Sequence, residues 1–440
     1  MKVYPKYKSS GVDLIGDIPS DWVARRLASF GRFSKGSGIS KADLIEEGIP
    51  TILYGDIYTK YNLKAENIFN FISQELASNS KLIDKGDLLF TGSGETREDI
   101  GKCVTYNGDI KVYAGGDIII FSPKTNNHLF LAYSLSSNYA ITVKAMNSRG
   151  DIIVHIYASS LRNIYLPIPS LAEQQQIVNF LDYKTGECDR FIGNRQKQIE
   201  LLNEQKAAII NKAVTKGINP NAKMKPSGID WIGDIPEHWE CMKIKRLSVV
   251  KRGASPRPID DPKYFDENGE FAWVRIADVT ASERYLENTT QRLSKLGSSL
   301  SVKMYPNDFF LSIAGSVGKP IITKIKCCIH DGFVWFPYLK INHEFLYYLF
   351  STGLPYQGLG KFGTQLNLNT DTVGDIFLPI PTADEMTIIV SFIDNQTQKI
   401  DYLISKYQKQ IELMQEYRTA LISQAVTGKI DVRDWKPQTK

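Results

Sequence analysis

Residues 165–218 are written a second time, without a gap, at residues 377–430, and nearly half of the paired positions are identical. A shorter repeat accompanies it: SGVDLIGDIP at 10–19 returns as SGIDWIGDIP at 227–236. Internal repeats constrain architecture more than any other sequence signal, and here their order adds a further constraint. In mid-chain the QKQIEL stretch runs through a linker into SGIDWIGDIP. The second QKQIEL stretch lies near the end of the chain, and SGVDLIGDIP lies near its beginning. The repeat is therefore circular, and its second unit closes only if the last residues pack beside the first. A pseudo-two-fold particle is expected.

Each copy of the long block reads as a helix. Pro167 and Pro169, like Pro379 and Pro381, give it an extended entry, because proline disfavours helical backbone at the residue before it. Glu173 and Glu385 then fall in a first turn, where a carboxylate suits the helix dipole. In the second copy Ile400, Tyr407, Met414 and Leu421 recur every seven residues, with Leu403 or Ile404, Ile411 and Ala425 between them. The first copy places Ile192, Ile199, Leu202, Ile209 and Ala213 on the equivalent face. Sustained heptad spacing predicts a coiled coil. Two such helices with Gln/Lys/Glu outer faces predict pairing with each other; a helix lying on a globular core is the alternative.

The remaining segments, 20–165 and 237–376, share a plan but little sequence. Each opens with a strand signal ending in a turn, PTILYGDI at 50–57 or AWVRIADV at 272–279. KGDLLF (85–90) or PNDFFL (306–311) follows, then a Gly-rich turn ending in Ile-Gly-Lys102 or Val-Gly-Lys319. A strand-like run, DIIIF (117–121) or GFVWF (332–336), and a helix, FLAYSLSS (130–137) or FLYYLFST (345–352), lead into the LPIP entry. Short β-branched and aromatic runs between turn residues indicate mixed α/β globules with a curved sheet. The expected organisation is an N-terminal segment (1–19) packing near the C-terminus, a first globule (20–165) and a central helix (166–218). A linker (219–236), a second globule (237–376), a distal helix (377–430) and a tail (431–440) complete it.

Chemistry is sparse. Phe90-Thr-Gly-Ser-Gly94 has the F-x-G-x-G look of a methyl-donor site, but its repeat counterpart Leu311-Ser-Ile-Ala-Gly315 lacks the first glycine. No Asn/Asp-Pro-Pro-aromatic motif follows, Asp261-Pro-Lys-Tyr264 being the nearest imitation, so the stretch reads as a turn. Residues 94–102 imitate a phosphate loop with the wrong spacing, and Cys103 replaces the Ser/Thr that would meet a metal. Five histidines and five cysteines show no ligand spacing. No catalytic residue, cofactor or metal is therefore expected. The scattered cysteines suit a reducing cytoplasm. No apolar run approaches the roughly 18 residues of a membrane span, and residues 1–10 lack the apolar core of a signal peptide. A net charge of +5 permits nucleic-acid binding without arguing for it.

Taken together, the LPIP entries, the E-x-x-x-I-V-x-F-[LI]-D helices, the QKQIEL and A-V-T stretches and the GDIP-x-x-W openings resemble the specificity (S) subunits of Type I restriction-modification enzymes. The resemblance covers essentially the whole chain. It implies an α+β architecture: two mixed α/β target-recognition domains separated by two long antiparallel helices forming a coiled coil, with the circular repeat. It further implies a non-catalytic subunit that reads a bipartite double-stranded DNA site, one domain per half-site. Two methyltransferase subunits would dock on the helices, and motor-nuclease subunits would join through the complex. Thirty helical residues rise about 45 Å and a DNA turn about 34 Å, so helices of this length can hold two readers on one duplex. A heptad inserted after both Ile199 and Ile411 should then lengthen the recognised spacer. A coiled-coil scaffold that binds only protein and a stand-alone DNA methyltransferase are the competing readings.

Phosphates call for Lys/Arg, and base edges call for Arg, Lys, Asn or Gln with bidentate reach. Polar residues on turns that differ between the halves are the candidates for DNA contact. These are Tyr54, Tyr58, Lys60, Arg97, Lys102 and Arg149 in the first globule, and Arg252, Arg257, Arg275, Lys319, Lys361 and Gln365 in the second. Arg97 lies in extra turn length that the second copy lacks. Lys361-Phe-Gly-Thr-Gln365 resembles the family's Gly-x-Gln turn, where the first half has Ser148-Arg149-Gly150-Asp151 instead.

Overall fold

The structure, a computed structural model, describes residues 2–359 and 368–437. It divides into two compact units, Met1–Gln196 with Gln408–Lys440, and Lys197–Tyr407. Each unit holds one globule, the leading part of one long helix and the trailing part of the other.

The long helices are Leu171–Lys216 and Ala383–Val426. Along the second, the less exposed positions run Ile400, Ile404, Tyr407, Ile411, Met414, Arg418, Leu421, Ala425. Along the first they run Cys188, Ile192, Arg195, Ile199, Leu202, Lys206, Ile209, Ala213. Both series alternate steps of four and three, the seam of a coiled coil. Of the two residues the heptad left open, Ile404 takes the seam, and Leu403 is 37% exposed. Within the first unit, contacts climb on one helix as they descend beyond the other: Gln176 donates to the Val432 carbonyl at 3.0 Å, and Asp189 meets Arg418 at 3.6 Å. Within the second unit Lys206 meets Asp401 at 2.7 Å, while Ala213 and Val214 share a core with Ile389 and Ile393. The helical segments in each unit are antiparallel. Among the described residues, no helix is long and apolar enough to cross a membrane.

A clasp ties each globule to its helices. Val23–Arg26 pairs antiparallel with Tyr165–Ile168, and Glu240–Lys243 pairs in the same way with Phe377–Ile380. Thus the strand after GDIP-x-x-W and the LPIP entry lie side by side, and the globule is the loop between them. Ahead of each clasp, Trp22 and Trp239 are both 1% exposed. Trp239 packs with Ile232, Ile235, Ala213 and Val214 at the end of the first helix. Trp22 packs with Tyr4, Ile15, Ile18, Leu421, Ala425 and Val426 at the end of the second. Hydrogen bonds complete the closure: Asp431 N–H donates to the Lys2 carbonyl at 2.9 Å, and the Tyr7 hydroxyl donates to the Gly428 carbonyl at 3.0 Å. The circular order of the repeats is realised as one packing arrangement made twice.

Inside the globules the two halves share one strand frame. In the first, a five-stranded sheet runs Gly31–Lys35, Ile118–Pro123, Leu88–Thr91, Cys103–Tyr106, Lys64–Ala65. A four-stranded sheet runs Asn70–Ile72, Ile49–Ile52, Val112–Ala114, Lys81–Ile83. In the second globule the order is Lys251–Arg252, Phe333–Trp335, Phe309–Ser312, Pro320–Thr323, Tyr285–Leu286, and then Gln291–Leu293, Phe271–Val274, Cys327–Ile329, Val302–Met304. Every pairing has the same sense in both, including one parallel pair per sheet. The apolar residues between the sheets, Ile52, Leu89, Val104 and Ile120 or Val274, Phe310, Ile321 and Ile329, are fully buried.

One local expectation is corrected. YGDI and IADV do not make turns but open short helices, Tyr54–Thr59 and Ile276–Ala281. The cause is an aspartate at the third helical position. The Asp56 carboxylate accepts from Leu53 N–H at 2.8 Å, and that of Asp278 from Arg275 N–H at 2.9 Å. Each thereby satisfies a donor that the helix end leaves open.

Candidate nucleic-acid interface

The globules are held to the long helices by one repeated aspartate. Asp182 accepts from the Tyr133 hydroxyl at 2.7 Å and from Lys64 at 2.8 Å. At the equivalent place Asp394 accepts from the Tyr348 hydroxyl and, at 2.7 Å, from Arg284. These aspartates end the E-x-x-x-I-V-x-F-[LI]-D motif, so that motif carries a docking bond as well as an apolar face.

Above this anchor sits the Ile/Val-Gly-Lys turn. Gly101 and Gly318 have φ of 68° and 83°, the left-handed region that favours glycine. The lysine that follows points into the protein in both halves. Lys102 donates to the carbonyls of Tyr58 (3.2 Å) and Tyr61 (2.7 Å), and Lys319 donates to those of Thr280 (3.0 Å) and Ser282 (2.6 Å). Both ammonium groups thus meet carbonyls at the C-terminal ends of the two short helices, where a cation suits the dipole. Burial depresses the pKa of each.

The glycine of each turn has a further partner that the sequence did not disclose. The Gly101 carbonyl accepts from Lys144 at 2.7 Å, and the Gly318 carbonyl accepts from the Tyr356 hydroxyl at 2.7 Å. Lys144 also donates to the Leu135 carbonyl at 3.1 Å and is 2% exposed. Burial brings its pKa down to about 8, and burial also pushes the neighbouring Cys103 thiol up to about 12. Lys144 is thus a base whose folded pKa lies below its unfolded value of about 10.4. Between those values the unfolded chain binds more protons, so the folded state gains as pH rises through that window. Relative to Lys144→Met, the wild type should gain up to about 3 kcal/mol between roughly pH 7.5 and 10.5. Denaturant titrations of both proteins across that range test this, and a gap that stays constant with pH rules it out.

The other candidates divide by what holds them. Tyr58 is turned inward, accepting from Thr91 at 2.8 Å and donating to the Ser93 carbonyl at 3.1 Å. A methyl group on Gly94 would come within 2.6 Å of the Tyr58 hydroxyl, which gives the glycine of the FTGSG stretch a packing reason. Tyr54 is exposed and lies between two open hollows of about 690 and 730 Å³. Lys60 is paired with Asp56 at 3.1 Å and sits over the Phe69 ring. Arg97 reaches Asp151 and the Gly150 carbonyl, each at 3.4 Å, so the private turn leans on the segment that carries Arg149. Arg149 is exposed, its main chain bridged to His155. Arg252 and Arg257 are exposed and both contact Asp331. Arg275 contacts Thr290 and Asp278 with its side chain partly exposed. Lys361 and Gln365 lie outside the described residues.

Two globules of one strand frame, each clasped to the antiparallel helical segments of its own unit and presenting different exposed arginines, define one architecture built twice. The profile of the family described as Type I restriction modification DNA specificity domain matches residues 19–201 and again 236–413. The chain belongs to that family and is a non-catalytic specificity subunit of a Type I restriction-modification system. Among curated relatives, it is 25% identical to the Type I restriction enzyme MjaVIII specificity subunit of Methanocaldococcus jannaschii, over 95% of each chain. It is 21% identical to the EcoBI specificity subunit of Escherichia coli over 72% of this chain and 68% of that one. Two solved structures share the fold. One is a chain from work on complex assembly and conformational transition of the type I R-M system (TM-score 0.73, 16% identity, 94% of this chain and 99% of that one). The other is the HsdS subunit from Thermoanaerobacter tengcongensis (TM-score 0.52, 17% identity, 94% and 98%).

Proposed function

We propose that each globule reads one half of a split double-stranded DNA site in the cytoplasm. Two methyltransferase subunits dock on the helical pair, and motor-nuclease subunits join through them. The observation that carries this reading is the contrast within the repeat. Frame, clasp, anchor aspartate and Gly-Lys turn are the same twice, whereas the exposed polar residues around them differ. A scaffold that bound one kind of protein at two equivalent places would have no need for that divergence. Tyr54, Lys60, Arg97, Arg149, Arg252, Arg257 and Arg275 are the proposed contacts, and Lys361 and Gln365 are proposed from the sequence alone. Tyr58, Lys102 and Lys319 support the loops from beneath.

Co-expression with the cognate methyltransferase subunit, followed by mapping of methylated adenines in random DNA, tests the proposal. Two short half-sites around a fixed unspecified spacer are expected, with affinity that falls steeply as salt rises. Arg97→Ala should weaken specific binding by roughly 1–3 kcal/mol and relax one half-site only. A complex that assembles but methylates without a split motif would favour the scaffold reading.

A further inference from the structure

One turn differs between the two globules in a way that has a chemical consequence. In the first, Gly115-Gly116-Asp117 precedes the strand Ile118–Pro123, second in the five-stranded sheet; in the second, His330-Asp331-Gly332 precedes Phe333–Trp335. The positions correspond bond for bond. Gly92 N–H donates to the Asp117 carbonyl and Ile313 N–H to that of Gly332, both at 2.8 Å. Gly36 N–H donates to the Ile118 carbonyl and Gly253 N–H to that of Phe333, both at 2.9 Å. Asp331 therefore stands where the first globule has Gly116, and Arg252 stands where it has Lys35.

Asp331 gathers three side chains. Arg252 Nε donates to its main-chain carbonyl. Arg257 Nη2 donates to its Oδ2 at 2.8 Å, and Ser255 Oγ donates to its Oδ1 at 3.2 Å. The turn beneath is fixed, because Gly332 N–H donates to His330 Nδ1 at 2.8 Å and the His330 ring packs on Trp273 and Phe333. The buried Tyr264 holds the Arg257 backbone through a bond from its hydroxyl to the Arg257 carbonyl at 2.9 Å. Even so, the Arg257 side chain is 69% exposed. A solvent-facing ion pair of this kind contributes little to stability, so stability does not account for the arrangement. Each arginine commits part of its five-donor fork to Asp331 and keeps the rest available.

We infer that Asp331 is a positioning residue whose carboxylate holds Arg257, beside Arg252 on the main-chain carbonyl of the same turn, as a reading head for guanine in the half-site of the second globule. Guanine presents two acceptors, O6 and N7, on its major-groove edge, and an arginine fork matches them. A guanidinium already held in place loses less rotamer freedom on binding. The first globule, with Lys35 and Gly116 at these positions, has no such head and reads its half-site by other means. The inference rests on the proposed DNA reading.

The test uses the full chain in complex with its methyltransferase subunits, selecting from a random duplex pool. For the wild type a split motif with guanine in one half-site is expected. Asp331→Ala should lower the preference for that guanine roughly 5- to 100-fold and leave the other half-site unchanged. Arg252→Lys and Arg257→Lys, which keep the charge on an exposed surface, should relax the same positions. A wild-type split motif that all three variants leave intact overturns the inference alone. A wild type that selects no motif removes the DNA reading and the inference together. If Asp331→Ala weakens both half-sites, its role is structural, and lysine variants that keep the guanine preference then overturn the assignment.

Discussion

Trp22→Ala is expected to destabilise the first unit by about 3–5 kcal/mol, the usual cost of removing a large buried aromatic. Trp22 is 1% exposed and packs edge-on against Tyr4 at 5.8 Å, in a core that includes Leu421, Ala425, Val426, Ile430 and Val432. These contacts join the first twenty-odd residues to the last twenty, so the cavity opens where the circular repeat closes. Stability of a domain is commonly about 5–15 kcal/mol, which makes this a large fraction. Hydrogen exchange should show lost protection at residues 15–22 and 421–432, whereas Trp239→Ala should instead loosen 213–214 and 232–239. Denaturant unfolding gives the magnitude. A cost below about 1 kcal/mol, or loss of protection spread evenly over the chain, would mean that the closure does not depend on this residue.

That closure was legible in the sequence because it is a matter of order. GDIP-x-x-W follows one long helix and precedes everything else, and only packing of the two ends makes the second copy equivalent to the first. The heptads were legible for a similar reason: a period of 3.5 residues, sustained over many turns, fits few structures. Where the period left two neighbours open, at Leu403 and Ile404, burial had to choose. YGDI and IADV failed for a local reason. Glycine and aspartate after a strand signal a turn, and nothing in their spacing says that the aspartate will cap a helix instead.

The interface was less legible. Lys102 and Lys319 look like surface cations in a Gly-rich turn, yet each reaches the end of a short helix that only the three-dimensional frame brings near. The recurrence of Gly-Lys in both halves was a usable signal: a residue retained while its surroundings diverge is more naturally part of the frame than of the reading surface. Lys144 and Tyr356 share a role without sharing an identity or an aligned motif, so no comparison of the two halves as strings could pair them. Arg252 and Arg257 could be picked as cations, but Asp331 lies about eighty residues further on, and its part emerges only when two strands place the turns together.

The anchor beneath the second globule is where a single charge matters most. Arg284 Nη1 meets Asp394 at 2.7 Å and the Tyr348 hydroxyl at 3.0 Å, its Nε and Nη2 face Glu344, and its side chain is only 17% exposed. Burial alone would pull the guanidinium down. The Asp394 hydrogen bond and the carboxylate charges of Glu344 and Asp394 outweigh it and hold its pKa above the ordinary value. Arg284→Ala leaves two carboxylates and a phenol facing one another without a cation. Removing one partner of a buried pair costs about 3–5 kcal/mol. Because the Asp394 carboxylate is 45% exposed, about 2–4 kcal/mol is the expected loss here. In the first unit Lys64 makes one bond to Asp182 with both groups about a third exposed, so Lys64→Ala should cost no more than about 1 kcal/mol. Urea unfolding of the two variants checks the asymmetry. If the globule owes its seat on the helix to this cluster, Arg284→Ala should also lose discrimination at the second half-site while the first is still read. Equal costs for the two substitutions would show that the clasp strands, which are alike in both units, and not the anchor charges, keep each globule in place.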